Sequence, residues 1–180
     1  MSLPAPETKV QRLFFALWPD DELRQCLKRH CKELLRHAGG RPVQLDNWHI
    51  TLAFLGSVTA EQQACVEQAA DNIRLPAFSL SLDQAGHWPR PRVLWVGARV
   101  QPEPLRQLAT DLSAAGRDCG LTMDSRPFHA HLTLVRKVLK PPLEMAVKAC
   151  PWTVDRFVLV RSLTLPEGVQ YQPLRSWPLK

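Results

Sequence analysis

The chain has 180 residues, of which 45% are hydrophobic and 22% charged, and its formal net charge is +6 at pH 7. These proportions are ordinary for a soluble globular protein with a substantial core. No apolar run approaches the ~18 residues of a membrane helix, so we expect no membrane span. The modest positive charge favours anionic partners, including ligands that carry phosphate.

Residues 1–9 lack the apolar segment of a secretory signal peptide. The cysteines are odd in number and lack the spacing of a zinc site, so we interpret all five as reduced thiols: Cys26, Cys31, Cys65, Cys119 and Cys150. Together these observations predict a cytoplasmic protein without cofactors.

Hydrophobic periodicity predicts alternating strands and helices in the first half of the chain. We expect a strand over 10–17, a helix from Asp20 or Asp21 to about residue 38, a short extended piece over 43–45, a strand over 48–55 that ends at Gly56, and a helix capped by Thr59 that runs to about residue 73.

The second half predicts more strands and one long helix. We expect strands over 78–84 and 93–100 joined by a hairpin-like tip, a helix from Pro102 to about residue 119, a strand over 131–135, a short helix over 143–149, one or two strands over 152–165 and a last strand over 171–177. The tip, 85–92, concentrates Trp88, Arg90 and Arg92. It is either a solvated loop or a flap that touches a phosphate or a base.

A four-residue motif occurs twice: His49-Ile50-Thr51-Leu52 recurs as His131-Leu132-Thr133-Leu134. Residues two apart on a strand share a face, so each copy offers one imidazole and one hydroxyl to the same space. Internal repetition of this kind usually reflects architecture. We therefore predict an α+β fold over residues 1–180, a single bilobal domain. Its two lobes of mostly antiparallel sheet carry outer helices, are related by a pseudo-twofold axis and enclose an active-site cleft.

Two imidazoles in one cleft suit acid-base chemistry near neutral pH. In-line hydrolysis of a phosphodiester needs a base behind the water and an acid at the leaving oxygen, on opposite sides of phosphorus. The hydroxyls of Thr51 and Thr133 can donate to the non-bridging oxygens, and Arg136 is the best candidate for a nearby cation. A 2′,3′-cyclic phosphate suits two histidines without a metal, because ring strain makes its leaving group easier to expel.

These motifs and their flanks resemble the 2H phosphoesterase superfamily, and most closely its bacterial and archaeal RNA 2′,3′-cyclic phosphodiesterases, long called 2′-5′ RNA ligases. The resemblance spans nearly the whole chain: RLFFAL at 12–17, WHITLAFLG at 48–56, PRVLWVG at 91–97, RPFHAHLTLVR at 126–136 and YQPLRSW at 171–177. The family often has a proline where this chain has Ala130.

The resemblance implies metal-independent hydrolysis of RNA or nucleotide 2′,3′-cyclic phosphates to 2′-phosphates. By motif position, His49 would protonate the leaving 3′ oxygen and His131 would activate water, while Thr51, Thr133 and Arg136 would hold the phosphate. The same groups would run the reverse 2′-5′ ligation of RNA ends. The expected partners are such RNA ends or nucleotides, with tRNA among the candidates, and the expected state is a monomer.

Seven further side chains are candidates for contacting a base or RNA, each with packing, surface exposure or capping as the alternative: Phe15, Trp18, Phe54, Arg90, Arg92, Arg126 and Phe128. His129 with His131 forms a His-x-His pair, but no carboxylate or cysteine accompanies it at a useful spacing, so we predict no metal there. His30 lies among basic residues of the first helix and indicates a solvated basic face. The alternative function is a non-catalytic RNA- or nucleotide-binding module on the same fold.

Overall fold

The computed structural model describes residues 10–143, 145–166 and 168–180, so the segment that bears on the signal-peptide prediction lies outside the described residues. The strands are β1 Gln11–Leu17, β2 Arg41–Pro42, β3 Ile50–Val58, β4 Phe78–Leu82, β5 Gln84–Trp88, β6 Val93–Gly97, β7 His131–Arg136, β8 Cys150–Val154, β9 Arg156–Leu165 and β10 Gly168–Pro178. The α helices are α1 Asp21–His30, α2 Lys32–His37, α3 Ala60–Asp71 and α4 Glu103–Asp118. The predicted α+β class is confirmed.

The main sheet is antiparallel and is arranged symmetrically about its two motif strands. Its order is β10-β9-β1-β3-β7-β6-β5, with β2 pairing with β7. β1 lies next to β3, and β6 lies next to β7, so each motif strand has a neighbour from its own half on its outer side. A second sheet consists of β4 and β8.

The two halves meet where the two motif strands begin. Within the described residues, β3 and β7 pair only through Ile50 and Leu132, and beyond this point β7 pairs with β2 instead. The strands run in opposite directions, so they overlap at their first residues and then diverge. This arrangement brings the two copies of the motif to one place in the middle of the sheet.

The two faces of β1 have different surroundings. Leu13, Phe15 and Leu17 point into the main core beneath the helices, whereas Phe14 and Ala16 belong to a small cluster with Val158 and Val160 on the other face. Alternation along the strand produces this division. The second face is the one on which the motif side chains lie.

Several predicted boundaries differ from the structure. Gly56 does not end its strand: with φ at +72° it lies in β3 beside a register shift, a backbone conformation that suits glycine. The predicted 78–84 strand is shorter, because β4 ends at Leu82 and pairs with β8 outside the main sheet, and 84–88 of the predicted tip form β5 instead. The predicted helix over 143–149 is wrong for the described residues of that segment, where Leu143 is 98% exposed and offers no buried face to a helix.

The prediction of five reduced thiols is wrong. Cys26 is bonded to Cys150 and Cys65 to Cys119, which leaves Cys31 as a free, buried thiol. The partners are 124 and 54 residues apart in sequence, so only the folded topology brings them together. In the described part of the chain, none of the helices is long and apolar enough to cross a membrane.

Candidate active site

The register between the motif strands fixes which side chains share a face. Ile50 and Leu132 are opposite each other and fully buried in the core. The residues on either side of this pair therefore point to the other face, where His49 falls beside Thr133 and Thr51 beside His131. One strand pair thus gathers two imidazoles and two hydroxyls, one of each from either half of the chain.

Both histidines are held by the same backbone contact. His49 Nδ1 lies 2.7 Å from the carbonyl oxygen of Asn47, and His131 Nδ1 lies 2.8 Å from that of His129. Since a carbonyl oxygen only accepts, each Nδ1 carries the hydrogen and each neutral ring has its lone pair on Nε2. The Nε2 atoms are then the nitrogens free to exchange protons with a ligand.

The two threonines differ in their contacts. The Thr51 hydroxyl lies 3.1 Å from His49 Nε2 and donates to it when that ring is neutral. Among the described residues, Thr133 has no corresponding bond to His131, and its side chain is half-buried beside the site. The two motifs therefore hold their histidines by the same backbone contact, but only the first motif has a hydrogen bond between its threonine and its histidine.

Three aromatic rings enclose His49. Trp18 stacks on it at 5.6 Å between ring centroids, and Phe14 and Tyr171 contact it at 4.9 and 5.0 Å. Burial by these rings is the main reason that the pKa of His49 is lowered from 6.5 to about 4; the Asn47 bond opposes this effect, and the charges of Arg136 and His131 add to it. His49 is therefore neutral in the free protein at pH 7.

His131 has a more open environment. Trp88 packs edge-to-face against it at 4.5 Å. Burial lowers the pKa of His131, and the nearby charges of His129 and Arg136 act in the same direction. The charge of Arg136 lowers the pKa of both rings, and that of His131 lowers the pKa of His49, as expected for groups that lie near one another on this face.

Arg136 ends β7, where its backbone pairs with Arg41 of β2 and Val93 of β6. Its side chain is exposed, and within the described part of the chain it makes no ion pair. An exposed guanidinium whose field reaches both imidazoles is suited to binding an anion between them.

The seven candidate base or RNA contacts fall into three groups. Trp18 lies at the site, and Phe54 is 55% exposed with its ring 5.6 Å from Phe14. Arg90 and Arg92 are exposed at the β5–β6 tip, as the hairpin interpretation predicted. The others are placed less favourably: Arg126 pairs with Asp124, Phe128 packs partly against the core and Phe15 is fully buried.

The prediction that Phe15 contacts a base is wrong, because its side chain is fully buried. It points into the core, where it contacts Phe157 and Trp177, because it has the opposite strand parity to the site-facing residues of β1. Phe14, four residues before Trp18, has the correct parity and was missed. Phe15 and Trp18 are an odd number of residues apart, so strand alternation places them on opposite faces and the two could not both contact a base at the site.

Asn47 and Tyr171 were also missed as site residues, whereas Trp88, which packs on His131, belongs to the tip interpreted either as a solvated loop or as a flap. Asn47 contributes a backbone carbonyl to His49, and its side-chain amide bonds to Val169 at the start of β10. That contact brings the neighbouring Tyr171 to His49 from the end of the chain. The contact between Tyr171 and His49 leaves no local sequence signal, because it depends on the pairing of strands that are far apart in sequence, whereas the Asn47 carbonyl comes from only two residues before His49.

A sheet duplicated about one strand pair, with an imidazole and a hydroxyl from each half, defines a two-histidine phosphoesterase. The family model described as "LigT like Phosphoesterase" matches residues 17–95 and 96–171, and each range contains one motif. The chain belongs to this family, which confirms the resemblance noted in the sequence.

Similar proteins match over nearly their whole length. The RNA 2′,3′-cyclic phosphodiesterase of Escherichia coli (strain K12) is 39% identical over 174 residues, covering 96% of this chain and 98% of that protein. The protein of the same name from Archaeoglobus fulgidus is 34% identical and covers 91% of this chain and 98% of its own. The crystal structure of E. coli LigT complexed with 3′-AMP has a TM-score of 0.89 at 38% identity, covering 95% of this chain and 99% of that one.

Proposed function

We propose that this chain hydrolyses the 2′,3′-cyclic phosphate at RNA or nucleotide ends to a 2′-phosphate, with His49 as acid and His131 as base. The observation that carries the proposal is the strand pair Ile50–Leu132, which brings one histidine and one threonine from each half onto a single face. The names of the E. coli and A. fulgidus relatives support the reaction, and the 3′-AMP complex of the E. coli protein supports a nucleotide ligand.

The chemistry proceeds by in-line displacement. His131 Nε2 takes a proton from water as the water oxygen attacks phosphorus, and the bond from phosphorus to the 3′ oxygen breaks. His49 Nε2 gives its proton to that oxygen, which leaves as a hydroxyl, while the phosphate stays on the 2′ oxygen. Proton exchange with solvent then returns both rings to their starting states.

His49 must gain a proton before it can act as the acid. In the free protein its pKa is about 4 because the ring is buried. An anionic phosphate placed next to the ring favours the imidazolium and raises this pKa. Ligand binding and protonation of His49 therefore reinforce each other.

The hydroxyl of Thr51 links the binding of the phosphate to the protonation of His49. When His49 is neutral, the hydroxyl of Thr51 donates to His49 Nε2 across 3.1 Å. When Nε2 is protonated, the ring donates to the hydroxyl oxygen instead, and the hydroxyl hydrogen becomes free for a non-bridging phosphate oxygen. Arg136 and Thr133 complete the proposed phosphate site, where preformed donors stabilise the charge of the transition state.

The product identity tests this proposal. A nucleoside 2′,3′-cyclic phosphate is incubated with the protein and EDTA, and the monophosphates are separated and assigned by ³¹P NMR. Formation of the 2′-phosphate supports the proposal. No product, the 3′-phosphate, or turnover that depends on added metal contradicts it.

The reverse reaction uses the same groups. An RNA 5′-hydroxyl in place of water would attack the cyclic phosphate and form a 2′-5′ bond, with the proton transfers of His49 and His131 unchanged. We propose ligation as a secondary activity of the same site, detected as a longer RNA when an oligonucleotide with a 5′-hydroxyl is supplied in excess.

A further inference from the structure

A cluster of three metal-ligating side chains lies away from the phosphoesterase site. Cys26 and His30 are four residues apart on α1, so they emerge from the same face of the helix, and Cys150 opens β8, which packs against α1. His30 Nδ1 is 3.1 Å from the Cys150 sulfur and 3.7 Å from the Cys26 sulfur. The basic-face interpretation of His30 is therefore incomplete.

The other cysteine pair has different surroundings. Cys65 of α3 and Cys119, which caps α4, are also bonded to each other. Among the described residues, however, only Cys26, His30 and Cys150 form a cluster of three potential ligands. The imidazole is what distinguishes the first pair from the second.

The distances in the cluster resemble those of a tetrahedral metal site. With Zn–S near 2.3 Å and Zn–N near 2.05 Å, tetrahedral angles place a nitrogen and a sulfur about 3.6 Å apart and two sulfurs about 3.8 Å apart. The 3.7 Å distance from His30 Nδ1 to the Cys26 sulfur lies close to the first value, and the 3.1 Å distance to the Cys150 sulfur is shorter than it. The two sulfurs must separate, which requires reduction of their bond and also lets the Cys150 sulfur move away from His30, and the Cα atoms are already 6.2 Å apart.

The three side chains leave the fourth position of a tetrahedral site to a water molecule, as in zinc sites with three protein ligands. The carbonyl oxygen of Lys148 lies 2.9 Å from His30 Nδ1 and accepts its hydrogen while no metal is bound. Moving that hydrogen to Nε2 frees the Nδ1 lone pair. Cys31 is fully buried and lies outside the cluster, whereas Cys26 and His30 are half-buried and accessible to an entering ion.

We propose that in the reduced protein Cys26, His30 and Cys150 bind a thiophilic divalent cation, with Zn²⁺ the expected ion, in a site separate from the two catalytic histidines. A phosphine reductant cleaves the disulfide and is oxidised to its oxide, which leaves two thiols. Zn²⁺ then replaces both thiol protons, which pass to solvent, while His30 binds as the neutral ring. The disulfide and the metal are therefore alternative occupants of one site.

The test uses reduced, metal-free full-length protein. Zn²⁺ is titrated against a chromogenic chelator, and Co²⁺ is added separately to look for the thiolate charge-transfer absorption of a tetrahedral site. The variants are Cys26→Ser, Cys150→Ser and His30→Ala. The matched control is the double variant Cys65→Ser and Cys119→Ser, which removes the cysteine pair that has no histidine. Circular dichroism checks that each variant folds.

We expect one Zn²⁺ per reduced wild-type chain, release of two protons, loss of binding in the three site variants and retention in the control. Oxidation of the wild type before titration should abolish binding. No binding by the reduced wild type overturns the proposal, as does loss of binding in the control with retention in Cys26→Ser. Cyclic phosphate hydrolysis in EDTA, measured on the same samples, separates this outcome from any failure of the proposed function.

Discussion

The indole of Trp18 stacks on the imidazole of His49, with their ring planes 14° from parallel. The indole covers one face of the ring, and Phe14 and Tyr171 pack against it from other directions, which leaves His49 half-buried. A ring enclosed in this way resists protonation until an anion arrives. The packing around His49 therefore has consequences for both stability and activity.

Stability should fall in acid because of His49. The pKa of this ring is 6.5 in the unfolded reference and about 4 in the folded protein, so between these values the unfolded state binds the proton and the folded state does not. Above pH 6.5 the free energy of unfolding does not depend on this proton. As the pH falls from 6.5 towards 4, the free energy of unfolding decreases by up to about 3 kcal/mol. Urea unfolding at about pH 7.5 and about pH 4.5 should show a smaller difference for His49→Gln than for wild type.

The matched control for this measurement is His37→Gln, since His37 is exposed on α2. It should retain the pH dependence of the wild type. Equal pH dependence for wild type and His49→Gln would show that the ring is not held neutral by the fold.

The pH profile of kcat/KM should have its optimum below pH 7. The productive free enzyme needs one imidazolium and one neutral imidazole, and burial lowers the pKa of both His49 and His131. The optimum of kcat should lie at higher pH than that of kcat/KM, because the bound phosphate stabilises the imidazolium. Initial rates from about pH 4 to about pH 9 measure both profiles. A kcat/KM optimum above neutrality would contradict this assignment.

Removing the two hydroxyls should have different effects. Thr51→Val and Thr133→Val should each lower kcat/KM by roughly 10- to 100-fold, the loss of one hydrogen bond to a charged group. Thr51→Val should also change the pH profile, because Thr51 bonds to His49 Nε2. Thr51→Ser keeps the hydroxyl and is the control for each measurement. Identical pH profiles for Thr51→Val and wild type would show that this bond does not affect proton transfer.

Phe54 should contribute to RNA binding with little effect on stability. Its side chain is 55% exposed and lies beside Phe14 on the site face. If it stacks on a base, Phe54→Ala should raise KM for an oligonucleotide cyclic phosphate by roughly 5- to 100-fold. Val100→Ala, at a position that is 78% exposed, is the control for loss of an exposed apolar side chain. An unchanged KM would show that Phe54 does not contact the RNA.

The sequence predicted the motif strands because their signal is local. Alternation and repetition identify the residue pairs His49–Thr51 and His131–Thr133 without any knowledge of the fold. The surroundings of these pairs could not be predicted in the same way. Tyr171 reaches His49 through the pairing of β9, β10 and β1, and the disulfides join residues that are distant in sequence. Phe15 was misassigned because both faces of β1 are apolar and buried, so alternation separates them without indicating which one meets the site.

The rates of cyclic phosphate hydrolysis by His49→Ala, His131→Ala and the double variant test most directly whether the two halves act on one phosphate. Each single variant should lose about 10²- to 10⁴-fold in kcat. The double variant should lose far less than the product of these factors, because residues that act as a unit are not additive. His37→Ala should retain wild-type activity. Substantial activity in either single variant, or a double loss equal to the product of the single losses, would contradict a shared site.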